Sequence, residues 1–224
     1  MKTIALFVVL IFASQASVAS ETGLLWETPA SPENGSWYFQ SLLASSSETD
    51  FHDAVSTFDF ERSEEHSYLG ALSIGKKISD YFLVWPFEVV AYASLQHFNE
   101  RRYQANAWGV TWYAKAYHSF NISFTDFPVR LGFGHGLSYV SRIPASEARD
   151  FLPHQSEKLI YYMDYSLQTS LRHLIGYGEK PLSSTIDDVY FGYSVWHRST
   201  VFGLLGESTG GINYQGFSVE TVFK

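Results

Sequence analysis

Several stretches of the chain alternate between apolar and polar residues. In Lys158–Leu171, one row of alternate residues is apolar or aromatic, whereas the other row includes Asp164, Ser166 and Gln168. Phe127–Tyr139 repeats the pattern, with Arg130 and three glycines on its less apolar row. A β-strand sends successive side chains to opposite faces. The alternation therefore predicts strands that each have one apolar face.

Eight such stretches follow one another from Phe51 to the end of the chain. They are Phe51–Glu61, Ser67–Ile78, Tyr81–His97, Gln104–Tyr117, Phe127–Tyr139, Lys158–Leu171, Asp187–Val201 and Ile212–Phe223. Their lengths suit an oblique crossing of a bilayer, and the glycines and small hydroxyl residues of the polar rows suit an interior filled by side chains. We predict an all-β fold, an eight-stranded antiparallel transmembrane β-barrel over residues 51–224. A soluble barrel would show the same alternation with its faces exchanged.

The residues before the first predicted strand fall into two parts. Residues 1–19 have the basic Lys2, the apolar run Ile4–Ala13 and a small-x-small sequence, which predict a signal peptide cleaved before Ser20. Residues 20–50 are interpreted as an N-terminal lead segment, in which Ser36–Ala44 fits either a strand or a helix.

Composition supports an exported barrel and excludes several functions. The chain has 15 Tyr, 18 Phe and 6 Trp, as expected where aromatic side chains form an outer band. It has no cysteine, so a disulfide framework and a thiolate metal site are both excluded. The formal net charge of −8 argues against a nucleic-acid partner. No metal-ligand spacing, phosphate loop or dinucleotide fingerprint is found, so we expect neither a cofactor nor a metal.

An even number of strands places both ends of the predicted barrel in the periplasm. The expected extracellular connections are then Asn99–Tyr103, Ser141–Glu157 and Phe202–Gly211, and the periplasmic ones are Ser79–Asp80, His118–Asp126 and His173–Ile186. Charged residues on the polar rows are expected to form a salt-bridged plug in the lumen; these are Glu88, Arg130, Asp164 and Arg198. Glu147, in the long extracellular loop, is interpreted as a solvated charge or a divalent-bridged contact with lipopolysaccharide. His135, on an apolar row, is interpreted as a structural residue.

Polar residues interrupt the apolar row of the seventh strand near its extracellular end. His197 and Ser199 share that row, and two residues apart they can form a base–nucleophile pair. Asn213 and Gln215 begin the last strand on the same face. Because paired strands lie about 4.8 Å apart, a side chain across this hairpin can reach and hold the imidazole. The alternative is that His197 and Ser199 are interfacial residues that contact lipopolysaccharide head groups.

The hairpin also resembles a known family. The stretch His197-Arg198-Ser199-Thr200-Val201-Phe202-Gly203, followed by a loop and an amphipathic strand that ends in Phe223, is similar to the C-terminal hairpin of PagL-type lipid A 3-O-deacylases and related proteobacterial barrels. Those enzymes are eight-stranded outer-membrane barrels, with a His-x-Ser pair and a Glu as a catalytic triad on the outer wall. The resemblance implies hydrolysis of an ester-linked acyl chain of lipid A, with Ser199 as nucleophile and His197 as base.

This chain departs from that family where the triad needs its carboxylate. Asn213 stands near the position of the family Glu, and Thr200 follows Ser199 where the family has Asn. An Asn can orient a catalytic His but cannot stabilise an imidazolium by charge. The predicted catalytic residues are therefore His197, Ser199 and Asn213, with Glu207 as an alternative orienting residue.

We therefore expect a monomeric protein of the bacterial outer membrane that acts on lipopolysaccharide or lipid A. The rival interpretation is a non-catalytic barrel of the same fold, with a structural or surface-binding role.

Overall fold

The chain forms a closed barrel of eight antiparallel strands. The computed structural model describes residues 32–122, 127–150, 156–177, 180–200 and 211–224. The strands are β1 (Trp37–Ser47), β2 (Tyr68–Ser79), β3 (Glu88–Asn99), β4 (Ala107–Ile122), β5 (Phe127–Val140), β6 (Leu159–Ser170), β7 (Ile186–Ser199) and β8 (Gly211–Phe223). Each strand pairs with the next along the chain, and β1 pairs with β8. The predicted fold class is confirmed.

Short helices accompany the strands in the described part of the chain. They are α1 (Phe51–Ser56), α2 (Ala145–Asp150) and α3 (Leu171–Leu174). No helix within the described ranges is both long enough and apolar enough to cross a membrane.

The prediction of the first strand was wrong. The barrel begins with Trp37–Ser47, and Phe51–Ser56 is helical, so the predicted boundary at residue 51 lies within the β1–β2 connection. Both rows of β1 mix apolar and polar residues, which conceals its alternation, whereas Phe51, Val55 and Phe58 have a helical spacing. The predicted signal peptide, residues 1–19, lies outside the described residues.

The third strand also begins later than predicted, at Glu88 instead of Tyr81. Residues 80–87 form the β2–β3 connection, in which Phe82 and Trp85 pair across a tight turn. Leu83, at the tip of this turn, has a φ of +58°, which extended strands do not adopt.

The connections divide between the two ends of the barrel as predicted. The β1–β2, β3–β4, β5–β6 and β7–β8 connections lie at one end, which we call the upper end. The other three connections lie at the opposite, lower end, where Trp37 and Phe223 pair.

The lumen is filled with paired charges. Arg130 contacts Glu88 and Glu220, each at 2.5 Å, and Lys115 contacts Asp164 at 2.9 Å. The hydroxyls of Tyr92 and Tyr117 donate to Glu220 at 2.8 and 2.7 Å. The lumenal positions predicted for Glu88, Arg130, Asp164 and Arg198 are confirmed. A soluble barrel would carry an apolar interior, so that alternative is wrong.

The outer wall is the apolar surface. Burial alternates along the strands, and large apolar side chains stay exposed on the outward rows of all parts of the barrel. Examples are Phe39, Leu43, Leu72, Ile74, Leu95, Trp112, Leu137, Phe191, Phe217 and Val219. An apolar exterior around a polar, side-chain-filled interior is the arrangement that suits a lipid environment.

The described part of the β5–β6 connection lies at the upper mouth of the lumen. Its helix α2 places Glu147 inside the barrel, where the carboxylate contacts Arg198 at 2.9 Å and both side chains are fully buried. The prediction that Glu147 is solvated was wrong, because a buried guanidinium requires a buried counter-charge. Burial raises the pKa of the Glu147 carboxyl, although Arg198 and Ser156 favour its ionised form.

Replacing Arg130 with Ala should strongly destabilise the barrel, because two buried carboxylates then lose their counter-charge. We expect a loss of about 3–5 kcal/mol, measured by urea unfolding in lipid vesicles with heat-modifiable gel mobility as readout. Arg101→Ala, in the exposed β3–β4 turn, is the matched control and should change stability by less than about 0.5 kcal/mol. Equal stability of the two variants would contradict the lumenal ion network.

Candidate functional site

The β7–β8 hairpin brings two of the predicted site residues into contact on the outer wall. His197 pairs with Asn213 in the strand register, and Ser199, two residues further along the same outward row, pairs with Gly211. The imidazole Nδ1 lies 2.6 Å from Asn213 Oδ1. Asn213 therefore occupies the position from which it can orient the ring.

The Asn213 amide is fixed by a second hydrogen bond. Its Nδ2 donates to the backbone carbonyl of Thr49 at 2.7 Å. A carbonyl only accepts, so Nδ2 must point to Thr49 and Oδ1 must point to His197. His197 then donates from Nδ1–H, and its Nε2 carries the lone pair. The Asn213 contact thus favours the tautomer of His197 that can act as a base through Nε2, and the imidazole also contacts the backbone of Ile212.

The imidazole edge that carries Nε2 lies against Gly211. A Cβ at this position would stand 2.7 Å from Cε1 and 3.0 Å from Nε2 of His197, and 2.6 Å from the Arg198 carbonyl. A residue without a side chain is therefore required here. Gly211 pairs with Ser199, so Nε2 lies at the height of Ser199 along the barrel wall. The Ser199 residue is half-buried.

The β1–β2 connection lies over this site on the outside of the barrel. We call residues 48–58, which include α1, the cover. The Phe51 ring lies 4.6 Å from the imidazole and 5.1 Å from the Tyr165 ring, measured between centroids. Only 8% of His197 is exposed. The structure therefore holds the candidate site closed.

A second polar network ties the end of β1 and the β1–β2 connection to the outer row of β8. Tyr193 donates to Gln215 Oε1, and Gln215 Nε2 donates to Ser47 Oγ at 2.9 Å. Ser47 in turn donates to the Glu61 carbonyl at 3.0 Å. Sequence reasoning placed Gln215 on this face but did not find its contact with Ser47, because β1, which ends at Ser47, was not recognised as a barrel strand.

Several other polar residues at the barrel surface lie apart from this contact. His135 is exposed on the outer row of β5, where Nδ1 lies 3.1 Å from the hydroxyl of Tyr161. Arg101 and Arg102 are exposed in the β3–β4 turn. Glu207 lies outside the described residues. Within the parts of the chain that the structure describes, no cluster of three or more His, Cys, Asp or Glu residues could hold a metal.

Comparison with known proteins gives a fold relationship and no sequence relationship. No family model matches the chain, and no curated protein matches it. Among solved structures, it is similar to the crystal structure of the outer membrane enzyme PagL, with a TM-score of 0.52 and 8% identity. The match covers 81% of this chain and 97% of that chain. The two proteins therefore share the closed eight-stranded fold.

Histidine-selective nitrogen NMR of the protein in detergent micelles tests the tautomer. His197 should carry its proton on Nδ1, because Asn213 Oδ1 accepts from it, and Asn213→Leu should remove this preference. His135 provides an internal reference on the same outer wall. A wild-type signal for His197 protonated only on Nε2 would contradict the network.

Proposed function

We propose that this chain is an outer-membrane esterase that hydrolyses an ester-linked acyl chain of lipid A, with Ser199 as nucleophile, His197 as base and Asn213 as orienting residue. The observation that carries the proposal is the chain of hydrogen bonds from the Thr49 carbonyl through Asn213 to His197 Nδ1. These hydrogen bonds leave His197 Nε2 as a basic nitrogen on the outer wall, on the side of the imidazole that is nearer to Ser199.

The proposed reaction proceeds through an acyl-enzyme. Ser199 Oγ attacks the ester carbonyl while His197 Nε2 takes the hydroxyl proton. The imidazolium then gives that proton to the departing sugar oxygen, which leaves as an alcohol. Water attacks the acyl-enzyme with His197 again as base, and the fatty acid is released as the serine hydroxyl is restored.

The Thr49 carbonyl explains how Asn213 can replace a carboxylate. In serine proteases, an Asn at the orienting position leaves the catalytic His in the wrong tautomer. Here the amide hydrogens are engaged by Thr49, so the amide presents its oxygen to the imidazole. Asn213 supplies no charge to the imidazolium, so we expect a slower enzyme than one with a carboxylate.

The surroundings of His197 favour a lipid substrate. The site lies on the apolar outer wall near the upper end of the barrel, at the level expected for head groups and the first acyl carbons. The similar fold of PagL, an outer membrane enzyme, supports the same location. In this proposal the upper end is extracellular, and the protein acts as a monomer without a cofactor.

The closed cover favours a second candidate, a non-catalytic barrel with a structural role. Phe51 occupies the space in front of the imidazole, so a substrate can enter only if the cover moves. If the cover stays closed in the membrane, His197 and Asn213 serve only to hold it in place.

Mass spectrometry of lipid A from cells that produce the chain distinguishes the two candidates. Wild type should remove one acyl chain, and Ser199→Ala should reduce the product to background because the nucleophile is lost. Ser41→Ala, on the outer row of β1 near mid-strand, is the matched control and should behave as wild type. Identical lipid A from all three strains, at equal levels of folded protein, would favour the non-catalytic barrel.

A further inference from the structure

A cleft of about 60 Å³ lies beneath the cover on the outer wall. The cover contributes Val55 and Phe58, and the wall contributes apolar side chains of β5, β6 and β7. These wall residues include Leu131, Phe133, Tyr165, Leu167, Tyr193 and Val195. The cleft is therefore bounded on one side by the barrel and on the other by α1 and the residues that follow it.

The cleft lies below the candidate site, toward the middle of the barrel. Val195 and Tyr193 lie two and four residues before His197 on the same outward row of β7. At about 3.4 Å per residue, the cleft begins about 7 Å below the imidazole and extends downward along the wall. Ser199 lies about 14 Å above Val195, so a molecule with its ester at Ser199 would bring only the far end of a long acyl chain here.

Specific contacts hold the cover over this space. Phe51 packs on His197 and Tyr165 at the top of the cleft, and the Phe58 ring lies 5.8 Å from Tyr193 lower down. Phe58 adopts a φ of +56°, a conformation uncommon for a bulky residue. The tertiary contacts therefore fix the position of the aromatic ring that bounds the cleft.

The residues that line the cleft determine which kind of molecule can bind there. Apart from Gly132 and Ser166, the residues that line the cleft have apolar or aromatic side chains, and the cleft opens on the outer wall. A polar head group placed here would lose its water without gaining partners, whereas a hydrocarbon chain would gain apolar contact. The end of one unbranched acyl chain is the occupant that suits this apolar lining.

We propose that Val55 and Phe58 form the outer wall of an acyl-chain cleft and thereby determine the chain length that this esterase accepts. The inference rests on the proposed function and adds a role for the cover: it is part of the substrate site. Because the cleft is small, a long chain must push α1 outward as it enters.

A larger side chain that fills the cleft tests whether the cleft determines the accepted chain length. The full chain in detergent is assayed with p-nitrophenyl esters from butyrate to palmitate. In Val55→Trp, the ratio of kcat/KM for palmitate to that for butyrate should fall by about tenfold or more, equivalent to about 1.4 kcal/mol. Val84→Trp, a fully exposed valine in the β2–β3 turn at the opposite end, should keep the wild-type ratio. An unchanged ratio in Val55→Trp would overturn the proposal.

A binding measurement separates this inference from the esterase itself. Ser199→Ala is photocrosslinked with a palmitoyl ester that carries a diazirine on its tail, and the modified peptides are identified. Crosslinks should concentrate on residues 55–58 and 193–195. Crosslinks spread evenly over the outer wall, including Leu72 and Ile74 on β2, would overturn the cleft even if the enzyme is active. Absence of ester hydrolysis together with focused crosslinks would overturn the esterase and keep the cleft.

Discussion

The pairing of Arg130 with Glu88 and Glu220 in the lumen sets the orientation of the strand faces. Buried charges are tolerated only where they are paired, so the rows that carry them must point inward. Closure of the barrel then forces the alternate rows outward. On β7 the same rule applies to Arg198, which pairs with Glu147 inside. His197 and Ser199, its two neighbours, consequently project from the outer wall.

The hydrogen bonds from Thr49 through Asn213 to His197 connect the cover, residues 48–58, to the proposed catalytic base. The Asn213 amide holds the imidazole through its oxygen and the β1–β2 connection through its nitrogen. The segment that fixes the tautomer therefore also places Phe51 over the ring. Movement of α1 can open the cleft and keep this tautomer only if the hydrogen bond between Asn213 and Thr49 persists.

Period-two patterns were sufficient to predict the later strands and their two faces, because those features depend on strand alternation. The choice of Asn213 as the partner of His197 came from the family resemblance. The sequence did not reveal β1, whose rows are both mixed. It also did not reveal the Thr49 contact, which joins a backbone atom to a side chain 164 residues away and leaves no mark in residue type. Glu147 was misplaced for a related reason: its burial depends on how a loop folds over the mouth of the barrel.

Labelling with an alkyl fluorophosphonate tests most directly whether Ser199 is a nucleophile activated by His197. Intact-protein and peptide mass spectrometry of the detergent-solubilised chain should show one adduct on Ser199, strongly reduced in His197→Gln and reduced to an intermediate level in Asn213→Leu. No adduct in the folded wild-type protein, or the same labelling of Ser199 in all three proteins, would contradict the account.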